Sequence, residues 1–273
     1  MNPLQSVVLG IVQGLTEFLP VSSTAHLRIV PALCGWADPG APFTAVVQLG
    51  TMIAIVAYFW RELLHVTVAW FRGLVDKSVR GTLEYRLGWY LILATIPVGV
   101  FGLIFSDQIE TGARNLWIIA STLIALGLIL ALAERVGTRE RTEEEISTTD
   151  AVVVGTAQAL ALVPGASRSG STITAGLFRG LTREAAARFS FLLSVPAVVL
   201  SGAYEAVNPG KGKSQGVGVT GLAVVFAFLV GIASIHWLMK WLSHHSTSVF
   251  IYYRVGLGVL LIGLLAGNVV QPT

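Results

Sequence analysis

Two short stretches, EFLPVSSTAH at 17–26 and VPGASRSGST at 163–172, set proline, hydroxyls and charge inside sequence otherwise apolar enough to cross a bilayer. A backbone broken in lipid exposes N–H and C=O groups that cost several kcal/mol each, so such breaks survive only where protein or a polar cavity surrounds them. Glu17, His26 and Arg168 within these stretches therefore mark a functional site. The rest of the chain supports this setting. Of 273 residues 54% are hydrophobic and 12% charged, with a mean hydropathy of +0.73, whereas soluble domains carry about 25% charge.

Apolar runs recur near 42–60, 87–106, 115–134, 184–206, 217–241 and 249–269, each close to the roughly 20 residues of a spanning helix. The first segment, MNPLQSVVLGIVQGLTEFLP, has no basic start and is interrupted by Gln13, Thr16 and Glu17, so it is expected to stay in the mature protein rather than be cleaved as a signal peptide. Cys34 is the only cysteine, which excludes an internal disulfide, and no Cys/His spacing resembles a zinc site. The net charge of +3 is scattered among the spans, so nucleic acid is not an expected partner.

A charged linker, ERVGTRERTEEEISTTD at 134–150, lies nearly midway and divides a single membrane domain, 1–273, into halves of about 1–140 and 150–273. GIVQGLTEFLPVSS at 10–23 and GTAQALALVPGAS at 155–167 share a glycine, a glutamine three positions on, an apolar stretch, a proline and then serines. Each is followed by three spans. The expected fold is an all-α polytopic membrane protein of two inverted repeats, each a re-entrant broken hairpin plus three transmembrane helices. Charge bears on the orientation. Arg61, Arg72, Lys77, Arg80 and Arg86 in a loop at 61–86, Arg135, Arg139 and Arg141 in the linker, and Arg179, Arg183 and Arg188 in a turn share one side with Lys240, leaving Arg114, Lys211 and Lys213 for the other. The positive-inside rule makes the rich side cytoplasmic and both termini external. The hairpins then enter from opposite sides and their tips meet near the midplane, the sequence pointer to a transporter-type site. Fold alone does not separate enzyme from carrier.

At the first tip, Gln13 and Glu17 share a helix face, Pro20 ends the helix, and Ser22 or Ser23 caps the next one, leaving N–H groups aimed at an anion. His26 lies three residues beyond Ser23. At the second, Pro164 and Gly165 break the chain, Ser167, Arg168 and Ser169 sit at a helix start, and Thr172 follows within a turn. Arg168 carries the planar fork suited to phosphate. A hydroxyl nucleophile, a carboxylate, an imidazole, a guanidinium and two helix N-termini make a set suited to phosphoryl transfer. Ser, Thr and Gly also serve packing in membrane helices, which is the plainer reading of Ser22, Thr24, Ser169, Ser171 and Thr174 taken singly. His65, His244 and His245 are expected in loops, His236 near a helix end, and Glu143, Glu144 and Glu145 on a solvated linker face. Trp60, Trp89, Trp117, Trp237 and Trp241 fall near span ends, as interfacial anchors do.

QGLTEFLPVSSTAH and VPGASRSGSTI resemble the two signatures of the bacterial undecaprenyl-diphosphate phosphatase family, also called bacitracin resistance proteins, and the resemblance runs through FSFLLSVP at 189–196 over essentially the whole chain. It implies hydrolysis of a polyprenyl diphosphate lipid, undecaprenyl diphosphate, to the monophosphate in the bacterial inner membrane, recycling the carrier of peptidoglycan synthesis, with an outward-facing site. Carried over by position, Ser23 is the nucleophile, Glu17 the carboxylate that activates it or holds a divalent cation, and His26 a supporting base, with His26 the rival nucleophile. Arg168 clamps the diphosphate with Ser167, Ser169 and Thr172, and Gln13, Ser22 and Thr24 join the substrate-binding groups. Gln13 stands where many members have Glu, so the requirement for a cation such as Mg or Ca stays open; Ala25 replaces a common Gly. A carrier flipping polyprenyl phosphate is the alternative function, a scaffold would leave the buried charges idle, and a homodimer is compatible with the sequence.

Overall fold

The computed structural model describes residues 1–105, 115–207 and 216–272, and of 202–207 the backbone only. Arg114, Lys211 and Lys213 lie outside the described residues, so the lightly charged side expected from them has no structural account. Among the described residues the fold is all-α, with an isolated bridge between Arg141 and Leu181 as its only β-type pairing.

The first broken hairpin is α1 (Pro3–Thr16) and α2 (Ser23–Cys34). Helix α1 starts at once because Asn2 and Gln5 form a reciprocal capping box and Pro3 takes the first turn, where no N–H is needed. Then come α3 (Gly40–Tyr58), α4 (Trp60–Val75), α5 (Leu83–Ile104) and α6 (Leu116–Val136). The second hairpin is α7 (Thr148–Gln158), a 3-10 turn (Ala159–Leu162) and α8 (Arg168–Phe178), followed by α9 (Arg183–Val207), α10 (Val217–Leu242) and α11 (Ser248–Ala266). Six of these, α3, α5, α6, α9, α10 and α11, are long and apolar enough to cross a membrane, matching the six runs expected. Large apolar side chains such as Leu103, Leu128 and Val225 point outward from them, as lipid-facing residues do.

The segment 61–86, expected as a loop, instead forms α4 over much of its length, and His65 lies on that helix. Arg61, Glu62, His65 and Arg72 interrupt the apolar run, so its length falls short of a span, yet Val66 and Gly73 are buried and the helix packs on α5. Gly73 approaches Tyr85 so closely that a Cβ would lie 2.3 Å from the ring. Periodicity, not run length, carries an amphipathic helix.

The halves pack crosswise. Helix α1 lies on α10, and α7 lies on α5. The glycines aligned in the two halves do the same work there: a Cβ on Gly10 would stand 2.4 Å from the Ala223 carbonyl oxygen, and one on Gly155 2.4 Å from Ala94 Cα. Small residues let helix backbones approach where dispersion and backbone contact must replace the hydrophobic effect.

At one end of the bundle the α4 start, the linker and the α8–α9 turn meet in ion pairs. Asp150, fully buried, accepts from Arg141 Nη2 at 2.6 Å, Arg179 Nε at 2.7 Å and Ser147 Oγ at 2.7 Å. Burial alone would raise its pKa, but these donors outweigh that and hold the carboxyl well below its ordinary value. Glu134 pairs with Arg183 and Arg139 and accepts from Thr247 Oγ1 at 2.6 Å. Arg188 reaches Glu62 at 2.8 Å and Glu143 at 2.9 Å. The acidic run is largely the solvated face expected: Glu144 and Glu145 are exposed, Glu145 also capping its own turn, whereas Glu143 is half-buried and paired with Arg188. At the other end Ser6 bonds Val219 and the Pro272 carbonyl accepts from Leu116 N–H at 2.9 Å.

Candidate active site between the two broken hairpins

Both breaks are built alike. Ser22 and Ser167 hold positive φ angles of 75° and 69°, a conformation that costs a non-glycine residue about 1–3 kcal/mol and clusters at functional sites. Each caps the helix that follows: Ser22 Oγ accepts from Ala25 N–H at 3.4 Å and Ser167 Oγ from Gly170 N–H at 3.0 Å. Ser23 and Arg168 consequently occupy the same place, the first residue of α2 and of α8.

These two residues meet on Glu17, the residue that ends α1. Ser23 Oγ donates to Glu17 Oε2 at 2.6 Å, and Arg168 Nη2 donates to Oε1 at 2.7 Å. Gln13, one turn back, donates to Oε2 at 2.9 Å, and Gln48 of α3 approaches Oε1 at 3.4 Å. Ser169 Oγ reaches across to the Leu19 carbonyl at 3.2 Å, tying the tips together. A cavity of about 160 Å³ lies over this cluster, lined by Gln13, Glu17, Ser23, Gln48, Ser167 and Arg168, with Ser22, Thr24 and Thr44 also on its wall.

Other expected residues stand apart from Glu17. Thr172 is fully buried behind the α8 start, bonded to the Arg168 carbonyl at 2.8 Å and to Ser190 Oγ at 2.6 Å. His26 does not line the cavity: Nδ1 lies 2.7 Å from the Ser22 carbonyl and Nε2 2.6 Å from the Tyr253 hydroxyl. Among the described residues no group of three or more His, Cys, Asp or Glu could hold a metal. Ser23 Oγ bonds Glu17 Oε2, whereas Gln13 turns Nε2 to that oxygen and leaves its Oε1 buried with no hydrogen-bond partner.

Five further residues that the sequence alone did not single out contribute. Thr44, Gln48 and Thr51 fall at helical spacing on α3, a polar stripe on an apolar span that could have flagged them. Arg254 of α11 is fully buried, donating from Nη1 to the Pro20 carbonyl at 3.1 Å and from Nη2 to those of Gly165 and Ala166 at 3.3 and 3.0 Å. It joins both breaks, and the rule that intramembrane charge marks function applies to it as much as to Arg168. Tyr253, beside it, showed no signal, since tyrosine is common near span ends.

What this pocket can bind follows from its donors. A guanidinium fork and the N-termini of α2 and α8 turned inward favour an anion rich in oxygen. The fold and cavity together define a multi-pass membrane protein with a polar cavity sunk between its helices. Residues 6–260 match the family described as Bacitracin resistance protein BacA, and the chain belongs to that family. It is 50% identical over 276 residues to the undecaprenyl-diphosphatase of Paenarthrobacter aurescens, covering 99% of this chain and 100% of the relative. Identity to the undecaprenyl-diphosphatase of Mycobacterium ulcerans is 49% over 277 residues, covering 100% of each chain. With that of Thermobifida fusca it is 44% over 272 residues, 100% of this chain and 93% of the relative.

Proposed function

We infer that the chain hydrolyses undecaprenyl diphosphate to undecaprenyl phosphate and inorganic phosphate, recycling the lipid carrier of cell-wall synthesis and conferring bacitracin resistance. The observation that carries the site assignment is the sharing of one carboxylate: Ser23 Oγ on Glu17 Oε2 and Arg168 on Oε1. A hydroxyl bonded to a buried carboxylate has its proton acceptor in place. The fork beside it meets charge on the transferred phosphoryl group.

Ser23 Oγ attacks the terminal phosphorus and its proton passes to Glu17 Oε2. The bond from that phosphorus to the bridging oxygen breaks, and undecaprenyl phosphate leaves with the bridging oxygen. Water then attacks the phosphoseryl phosphorus, the P–Oγ bond breaks, the proton held on Glu17 returns to Ser23 Oγ, and inorganic phosphate leaves with the oxygen of the water. Arg168, Ser167 and the α8 N-terminus hold the phosphate oxygens through both steps.

A divalent cation of the Mg or Ca type would find a single carboxylate here, Glu17, whose oxygens already accept from Ser23, Gln13 and Arg168, while Gln13 turns Nε2 rather than Oε1 toward it, so the residues as arranged do not fit such a cation.

The crossed packing of the hairpins supports two inverted repeats. The cavity extends toward Thr44, one turn into α3 and away from the linker end, which supports a site opening on the outer face with both termini outside. Crossed repeats around a central site also suit a carrier of polyprenyl phosphate, the second reading. Purified protein in detergent separates them: phosphate released from undecaprenyl diphosphate and lost in Arg168→Ala identifies the enzyme, while lipid movement in vesicles without phosphate release identifies the carrier. A phosphoenzyme still trapped in Ser23→Ala would overturn the serine nucleophile.

A further inference from the structure

His26 is buried and its two ring nitrogens are both engaged, so the direction of each hydrogen bond decides what the ring can do. The Ser22 carbonyl only accepts, so Nδ1 carries a proton. Burying an imidazolium is costly, and among the described residues the ring's partners are a carbonyl and a hydroxyl rather than a carboxylate, so the ring is neutral and Nε2 is an acceptor. The Tyr253 hydroxyl, 2.6 Å away, is then the donor. The two rings also stack, with centroids 5.6 Å apart and planes 9° from parallel. Nε2 in this arrangement is not open to Ser23 or to a phosphate.

The Ser22 carbonyl also accepts the His26 backbone N–H, at 3.3 Å. Ser22 is the residue at φ 75°, and the next residue is Ser23. A peptide held at positive φ relaxes unless its surroundings over-determine it. In the other break that role falls to Arg254 on the Gly165 and Ala166 carbonyls. In the first, Arg254 reaches only the Pro20 carbonyl, and the imidazole holds Ser22 itself.

We propose that Tyr253 is a positioning residue for the reaction, acting through His26: its hydroxyl donates to Nε2, commits Nδ1–H to the Ser22 carbonyl, and so fixes the strained residue that aims Ser23. The inference rests on the reading of Ser23 as the attacking group. It makes α11, which contributes no side chain to the cavity wall, the support of both breaks through adjacent residues.

Tyr253→Phe keeps the ring stack and removes only the donor. Losing one neutral hydrogen bond that serves the transition state should lower kcat about threefold to tenfold with KM for undecaprenyl diphosphate unchanged. Because the effect runs through His26, the same substitution in a His26→Ala background should cost nothing further. Nitrogen-15 NMR of histidine-labelled full-length protein should show the Nδ1–H tautomer for His26, with the Nε2 resonance shifted in Tyr253→Phe by loss of its donor, and an unshifted Nε2 resonance overturns the proposal. An unchanged kcat, an equal loss in both backgrounds, or an Nε2–H tautomer in the unmodified protein overturns the proposal. Where His26→Ala does not fold or turn over, the NMR measurement decides alone. Full activity in Ser23→Ala would overturn the serine reading while leaving the tautomer result standing, so the two failures are distinct.

Discussion

Replacing Arg254 by methionine keeps a long unbranched side chain and removes the guanidinium that links the two breaks. Three carbonyls, of Pro20, Gly165 and Ala166, lose their donor at once. Each buried acceptor left unpaired costs about 1–3 kcal/mol. Against this, the arginine itself costs about 2.5–3.5 kcal/mol to hold at membrane depth, and that cost disappears. The net loss is on the order of 3 kcal/mol, a fall of about 6–12 °C in the thermal midpoint for a chain of this size. Activity should fall further than stability alone explains, because the freed carbonyls flank the residues that aim Ser23 and Arg168, and small misplacements of reacting groups cost about a hundredfold. Gly170 permits the close seat of this arginine, since a Cβ there would lie 2.5 Å from Nη1. Arg254→Lys, with one charge point and no fork, should recover part of the stability and little of the activity. Thermal unfolding in detergent and phosphate release are the two assays. A methionine variant with the unmodified midpoint and turnover would refute the reasoning, since it would mean the three carbonyls are satisfied without the guanidinium.

Gly155→Ala should destabilise by about 1–3 kcal/mol, as overpacking does, because its Cβ would stand 2.4 Å from Ala94 Cα; an unaltered midpoint would argue against so close a crossing of α7 and α5. Arg168→Lys keeps the charge but loses the fork, so kcat/KM should drop about tenfold to a hundredfold, the range of a charged hydrogen bond; steady-state phosphate release measures it. Asp150 has a folded pKa below its ordinary value, so its stabilisation is complete above about pH 4 and drains away as pH falls toward the folded value. Asp150→Asn should therefore flatten the acid limb of stability measured against pH, and an equally steep limb in the variant would assign that slope to other carboxylates.

The six spans and the two breaks were legible because they are one-dimensional facts: an apolar run of the right length, and a run interrupted by Pro and charge. So was the pairing of Gly10 with Gly155, which aligned by spacing and which both turn out to sit at close helix crossings. Helix α4 was not, because its apolar residues face one side and never form a run. Glu17 and Arg168 were each recognisable as costly, but their contact spans 151 positions and depends on how the hairpins are inserted among the other helices. Thr44, Gln48, Tyr253 and Arg254 come to the breaks from spans that local pattern treats as lipid-facing. The sequence by itself determined the solvent, the helices and the two places where the backbone must be sheltered, since these follow from the cost of polar groups in lipid. Only the tertiary structure decided that both shelters are the same place, because a carbonyl freed at one break and a charge at the other are satisfied by residues that no local spacing connects.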